Sequence, residues 1–442
     1  MLTIETAADA LAAGTTTARA LLDASLAAAE QEPRAFVELH HKTARAAADA
    51  QDALRRAGRA PGRYAGIPVT VKDLFDEAGQ VTRAGSVALE GAEPAAGNAP
   101  VVSRLLAAGM VILGRTNMVE FAFSGLGVNP HFGTPTSPYD RATGRLPGGS
   151  SSGAAVAAAD GAGFGGLGSD TGGSCRIPAA LCGVVGYKPT AARVPLDGAY
   201  PLSFSLDSIG PIARSVACCE AIDGIIADAP ARHPALPLAG LRLAVLRNFM
   251  EEEMEDAVAD AYAAALSRLA AAGARLTDIR IAEIEALPAL NATGGFAASE
   301  AWAWHRDLIG RAGDRYDPRI LKRIRRGEAM TAENYVALLR ARKNLIAAVA
   351  PQTMPFDAVL APTCPLTPPA IAAVEDEREY NRINMLLLRN TAVWNFFDRC
   401  SISLPCHQPG EAPVGLMLTG EHGGDGRLFA VARAVEAALV HP

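Results

Sequence analysis

Apolar positions recur along this chain in two alternating rhythms. Leu21, Leu22 and Leu26 fall on one face of a helix that Thr15 to Thr17 can cap and Pro33 closes. A second helical pattern runs from Thr43 to Ala57, with Gly58 as its stop. Ile67, Val69 and Val71 then alternate with Pro68, Thr70 and Lys72 at strand period. Asn98 to Ala108 predicts a helix ended by Gly109, and Met110 to Leu113 a buried strand. The second half keeps this order. Leu241–Leu246 is strand-like, Met254–Ala272 helical with Gly273 as the stop, and a strand-like segment lies near Leu276–Ile281. A polar amphipathic helix spans Thr331–Ala350, Phe356–Ala361 reads as a buried strand, and a last helix opens at Gly424 or Asp425 and ends near Leu439.

Helices and strands alternating in this way predict an α/β sheet packed between helices. The stretch with Pro230, Pro234 and Pro237 reads equally as a domain linker and as a surface excursion within one domain. There is no internal repeat.

Composition sharpens the class. Of 442 residues, 50% are apolar and 20% charged, the balance of a folded chain with a sizeable core, which excludes disordered, collagen-like and coiled-coil classes. A net charge of −6 argues against a basic nucleic-acid-binding surface, so no nucleic-acid partner is expected. Seven cysteines without a CxxC pair point to a reducing compartment. Residues 1–9 lack the basic and apolar regions of a signal peptide, and no apolar run reaches the length of a membrane span. The expectation is a cytoplasmic protein without a membrane partner.

Candidate chemistry concentrates in the centre. Of 42 glycines, 13 fall between Gly144 and Gly186, about three times the overall density. A flexible linker does not suit the segment, because Ile177, Leu181, Val184 and Val185 call for burial. Gly163-x-Gly165-x-x-Gly168 matches a dinucleotide fingerprint in letters only, since Gly168 leads into SDTGGS instead of a helix. The remaining reading is a catalytic loop. Thr171-Gly172-Gly173-Ser174 offers successive backbone donors around one hydroxyl, as an oxyanion hole requires.

A serine nucleophile needs a base. None of the eight histidines sits in a recognisable nucleophile context, and GxSxG is absent. Lysine occurs at only five positions, and Lys72 in GIPVTVKDLF is the best placed. Burial would lower its pKa toward neutrality and make it a base. Pattern alone leaves this level with Lys72 sharing a wet strand face with Thr70. Neither HxH nor HExxH occurs and the cysteines lack ligand spacing, so no metal is expected.

PGGSSSG at 147–153, GSDTGGSCRIPAALCGVVGYKPT at 168–190 and GIPVTVKD at 66–73 together resemble the amidase signature family, as do GRTNMVEFAFSGLGVNPHFGTP at 114–135 and PVGLML near 413. The resemblance spans nearly the whole chain. It implies one domain over residues 1–442, a large mixed sheet with helices on both faces, and a hydrolase of a small or medium amide without a cofactor. By the same resemblance Ser174 is the nucleophile, Ser150 a bridging serine after a cis peptide bond, and Lys72 the base. The backbones of Thr171, Gly172, Gly173 and Ser174 would form the oxyanion hole, with Ser151, Asp170 and Arg176 bracing the loops.

Cys175, beside the nucleophile, reads as a small packing residue. Asp398 stands where relatives often carry Gly, and with Arg399 is either a specificity residue or part of an ion pair. Trp302, Trp304 and His305 read as core or helix-face aromatics, with a pocket wall as the other reading. A rival function is the amidase-like component of a glutamyl-tRNA amidotransferase, which would need partner proteins, ATP and glutamine; the modest chain length and the missing C-terminal extension favour the hydrolase. The oligomeric state, a homodimer included, is left open.

Overall fold

A computed structural model describes residues 2–229 and 233–440. Eleven strands form one sheet: β1 (Phe36–Leu39), β2 (Pro68–Lys72), β3 (Val111–Thr116), β4 (Gly165–Ser169), β5 (Val185–Lys188), β6 (Ile209–Ala213), β7 (Arg242–Leu246), β8 (Arg275–Ile279), β9 (Ala358–Pro362), β10 (Ser401–Pro405) and β11 (Gly415–Thr419). Their order is β1-β3-β2-β4-β6-β5-β10-β11-β9-β7-β8. Pairing is parallel for β3-β2-β4 and for β9-β7-β8, and antiparallel elsewhere. The expected mixed α/β sheet is thus present.

The strands between the two edges are buried along nearly their whole length because both faces are covered, whereas the edge strand β8 is largely exposed. Along β7, Leu243 and Val245 enter one core while Ala244 and Leu246 enter another on the opposite side. β9 divides in the same way between Leu360 and Val359. At the other end, Ile112 of β3 joins the large core, whereas Val111 and Leu113 pack with the Ala-rich helix Ser152–Asp160. Thr17 caps the helix Ala18–Ala29 through its side chain, as the sequence predicts. Pro234 and Pro237 lie in coil leading into β7 of the same sheet; Pro230 lies outside the described residues. Among the described residues, no helix is long and apolar enough to cross a membrane.

The parallel register aligns the C-terminal ends of β2 and β4, with Val71 opposite Leu167. Lys72 and Ser169, the last residues of those strands, consequently emerge at the same sheet edge. Gly168 lets the two layers approach: a Cβ there would stand 2.8 Å from Ser151 Oγ and 2.9 Å from Cys175 Sγ. The glycine run of the dinucleotide-like fingerprint is therefore strand β4, with no phosphate-binding turn into a helix.

Candidate active site

Lys72 is fully buried, and three hydroxyl oxygens surround its Nζ: Ser150 Oγ at 2.7 Å, Ser169 Oγ at 2.8 Å and Ser151 Oγ at 3.0 Å. The alternative of a wet strand face is overturned, because every residue of β2 is buried and the polar side faces these serines. Burial among neutral hydroxyls brings the Lys72 pKa down to about 7, although Cys175, Asp207 and Asp170 oppose the shift. The helix Ser152–Asp160 starts directly after Ser151, so the positive end of its dipole adds to the disfavour for an ammonium. The peptide between Gly149 and Ser150 is cis.

Ser174 lies on the loop between β4 and the helix Arg176–Cys182. Ser151 N–H donates to the Ser174 carbonyl at 3.2 Å, tying the serine-rich turn to this loop. Ser174, Thr171 and Gly172 line a cavity of about 530 Å³ whose remaining walls are mostly apolar. Gly173 departs from the expected set of four oxyanion donors. Its N–H donates to Asp170 Oδ1 at 2.9 Å, which turns that donor away from a substrate, and three backbone candidates remain. Its φ of 134° and a Cβ position 2.1 Å from Thr391 Oγ1 show why this position takes glycine.

Asp170 and Arg176 form a fully buried pair, with Arg176 Nε and Nη2 donating at 3.1 and 2.9 Å. Asp170 also accepts from Cys175 N–H at 3.1 Å and Asn395 Nδ2 at 2.9 Å. Burial alone would raise its pKa, but Arg176 and Asn395 outweigh that and hold it at about 2. One anion therefore fixes the backbone on both sides of Ser174. Thr171 Oγ1 donates to Asp207 at 2.5 Å, and Thr391 Oγ1 donates to the Gly172 carbonyl at 2.6 Å.

The model of the family described as Amidase matches residues 18–429. The chain belongs to the Amidase family. It is 37% identical to the 2-amino-5-chloromuconic acid deaminase of Comamonas testosteroni, over 93% of this chain and 90% of that protein. It is 35% identical to a component of the glutamyl-tRNA(Gln) amidotransferase of Chloroflexus aggregans, over 98% and 96% respectively. A solved structure titled as an amidase superposes with a TM-score of 0.91 at 32% identity, covering 99% of this chain and all of that one.

In this amidase-family chain, Ser169, Asp207, Thr391 and Asn395 are site neighbours that sequence reasoning misses. Ser169 is within its reach, since it is the first residue of the SDTGGS run; the other three come from distant segments without a local signal. Cys175 is buried, its Sγ donates to the Gly210 carbonyl at 3.5 Å, and burial pushes its thiol pKa far up, which fits packing. Asp398 accepts from Ala191 N–H and faces His422, while Arg399 pairs with Glu421; neither lines the cavity, so the ion-pair reading holds. Asp398 has φ 51°, in the left-handed region that residues other than glycine seldom adopt. Trp302 and His305 pack into the core, but Trp304 is half exposed and lines a second cavity with Phe204 and Asp207.

Proposed function

We propose that this amidase-family chain is a hydrolase that cleaves a small or medium amide through an acyl group on Ser174. One domain over the whole chain carries the site. Neutral Lys72 takes a proton from Ser150 Oγ, Ser150 takes one from Ser174, and Ser174 Oγ attacks the amide carbonyl carbon. The C–N bond breaks as the proton returns along the same path to the leaving nitrogen. Water then attacks the acyl carbon with the same relay, releasing the acid and restoring Ser174. The N–H groups of Thr171, Gly172 and Ser174 are the donors available to the oxyanion. Asp170, Arg176 and Ser151 position this loop and take no part in bond making.

The observation that carries the reading is the burial of Lys72 within 2.7 Å of Ser150 Oγ. A fully buried ammonium with no carboxylate contact is costly, and loss of its proton removes that cost. The amine then has a lone pair for Ser150 and two N–H groups for Ser151 and Ser169.

The test is release of ammonia or amine from a panel of amides, glutamine included, by the purified chain alone. Turnover that disappears in Ser174→Ala supports the reading. Activity that needs added proteins, ATP and glutamine would instead place the chain beside its amidotransferase relative.

A further inference from the structure

Arg323 lies in the helix Pro318–Arg325 and lines the same cavity as Ser174, Thr171 and Gly172. Its guanidinium lies over the ring of Phe123, 5.1 Å from the centroid. Nε is buried without a hydrogen-bond partner, and among the described residues no carboxylate pairs with the group. Arg83, Arg141, Arg214, Arg268 and Arg389 also have a buried nitrogen lacking a hydrogen-bond partner. Each of those guanidinium groups nonetheless reaches an oxygen: Glu38, Asp160, and the oxygens of Gly163, Cys406 and Asn390 in turn. Arg323 reaches none among the described residues. Burial and the neighbouring Arg326 both press against its charge.

The cavity walls carry Arg323, Arg326, Arg382 and Arg389 against a single acidic residue, Glu253, in a chain whose net charge is −6. Arg382 is engaged by Glu379, and Arg389 faces Glu253. Arg326 donates to the Ala292 carbonyl and pairs with no carboxylate, so positive charge is left over at Arg323 and Arg326 with no counter-ion among the described residues, and of the two only Arg323 reaches no oxygen. A guanidinium fork in an apolar setting is suited to a carboxylate, bound through two parallel hydrogen bonds.

We propose that the Ser174 cavity selects amides whose acyl part ends in a carboxylate, and that Arg323 is the specificity residue that receives it. The inference rests on the reading of Ser174 given above. Ser150 and Lys72 do not line this cavity, and the leaving nitrogen must face Ser150 to be protonated, so the cavity holds the acyl side of the amide. Leu206, Phe249, Leu386, Leu388, Val393 and Phe396 wall the cavity and match an apolar spacer between amide and carboxylate. The substrate class is the monoamide of a dicarboxylic acid.

Monoamides of four- to eight-carbon dicarboxylic acids are compared with the matching diamides, which replace the carboxylate by a neutral group of the same shape. The ratio of kcat/KM for monoamide over diamide should exceed about tenfold at the best chain length. In Arg323→Gln that ratio should fall at least tenfold, mainly through KM, and Arg323→Lys should restore part of it. A wild-type ratio near or below one, or a ratio that Arg323→Gln and Arg323→Lys leave unchanged, overturns the proposal. Calorimetric binding of the monoamides to Ser174→Ala protein separates this claim from the catalytic one. Binding that requires Arg323, beside turnover that survives Ser174→Ala, would overturn the role of Ser174 alone. Monoamides that bind no more tightly than diamides would overturn the role of Arg323 whether or not turnover is seen.

Discussion

Lys72, the proposed base, owes its state to the burial of a strand end. Its folded pKa of about 7 lies below the ordinary lysine value of 10.5, and burial is the leading cause. Two consequences follow with definite signs. Activity should rise with pH along an acid limb centred near 7, because the neutral amine is the working form. Lys72→Met should lower kcat by about a hundred- to ten-thousandfold, the range of a lost general base, and leave no such limb in the residual rate. Stability moves in the same direction. Between about 7 and 10.5 the unfolded chain holds a proton on Lys72 that the folded chain has lost, so unfolding free energy rises with pH across that window. Chemical denaturation at several pH values checks this, and Lys72→Met should remove the Lys72 share of the rise. The candidate acid–base partners, Ser150 and Ser174, are legible in the sequence because they sit in unusual text. The state of Lys72 is not, since a strand pattern says which side chains share a face and not what covers that face.

Among the elements, the loop between β4 and the helix Arg176–Cys182 depends most on remote support. Asp170 binds Gly173 N–H, Cys175 N–H, Arg176 and Asn395 together. Asp170→Asn would leave Arg176 buried without its anion, and removing one partner of such a pair costs about 3–5 kcal/mol. Thermal denaturation should show that loss, and kcat should fall with it because the backbone around Ser174 is no longer fixed. In the parent protein this support is present above the ordinary aspartate pKa of 3.8 and is lost as pH falls toward 2. Sequence reasoning places Asp170 and Arg176 beside the loop but counts Gly173 among the oxyanion donors. The reason lies in competition: a fully buried carboxylate takes the nearest amide hydrogens, and no pattern in the chain announces which ones. Helix ends are easier to read, since Thr17 and Gly58 act over a few residues and depend little on the rest of the fold.

Across the whole molecule, one continuous sheet brings residues far apart in sequence to a single edge. Lys72 meets Ser150, and the Ser174 loop is tied beside them through Ser151 N–H, because β2 and β4 are parallel neighbours and the helix Ser152–Asp160 packs over them. Alternation of helices and strands predicts such a sheet, but strand order comes from which apolar faces fit together over long range. β5 and β6 are short and interrupted by glycine or proline, and β10 and β11 are short runs bounded by them, yet these four strands join the two parallel ends. The centre should therefore be sensitive to packing. Ile402 on β10 is fully buried in the large core, and Ile402→Ala should cost about 2–5 kcal/mol in denaturant titration.

The central claim is that Ser174 carries the acyl group. Its most direct test is peptide mapping by mass spectrometry after acid quench of the enzyme reacting with a substrate amide, or after treatment with an electrophilic sulfonyl fluoride. The account predicts an adduct on the peptide bearing Ser174, located at Ser174 by fragmentation and absent from Ser174→Ala. An adduct on Cys175, or amide turnover that persists in Ser174→Ala with no adduct on this loop, would contradict it.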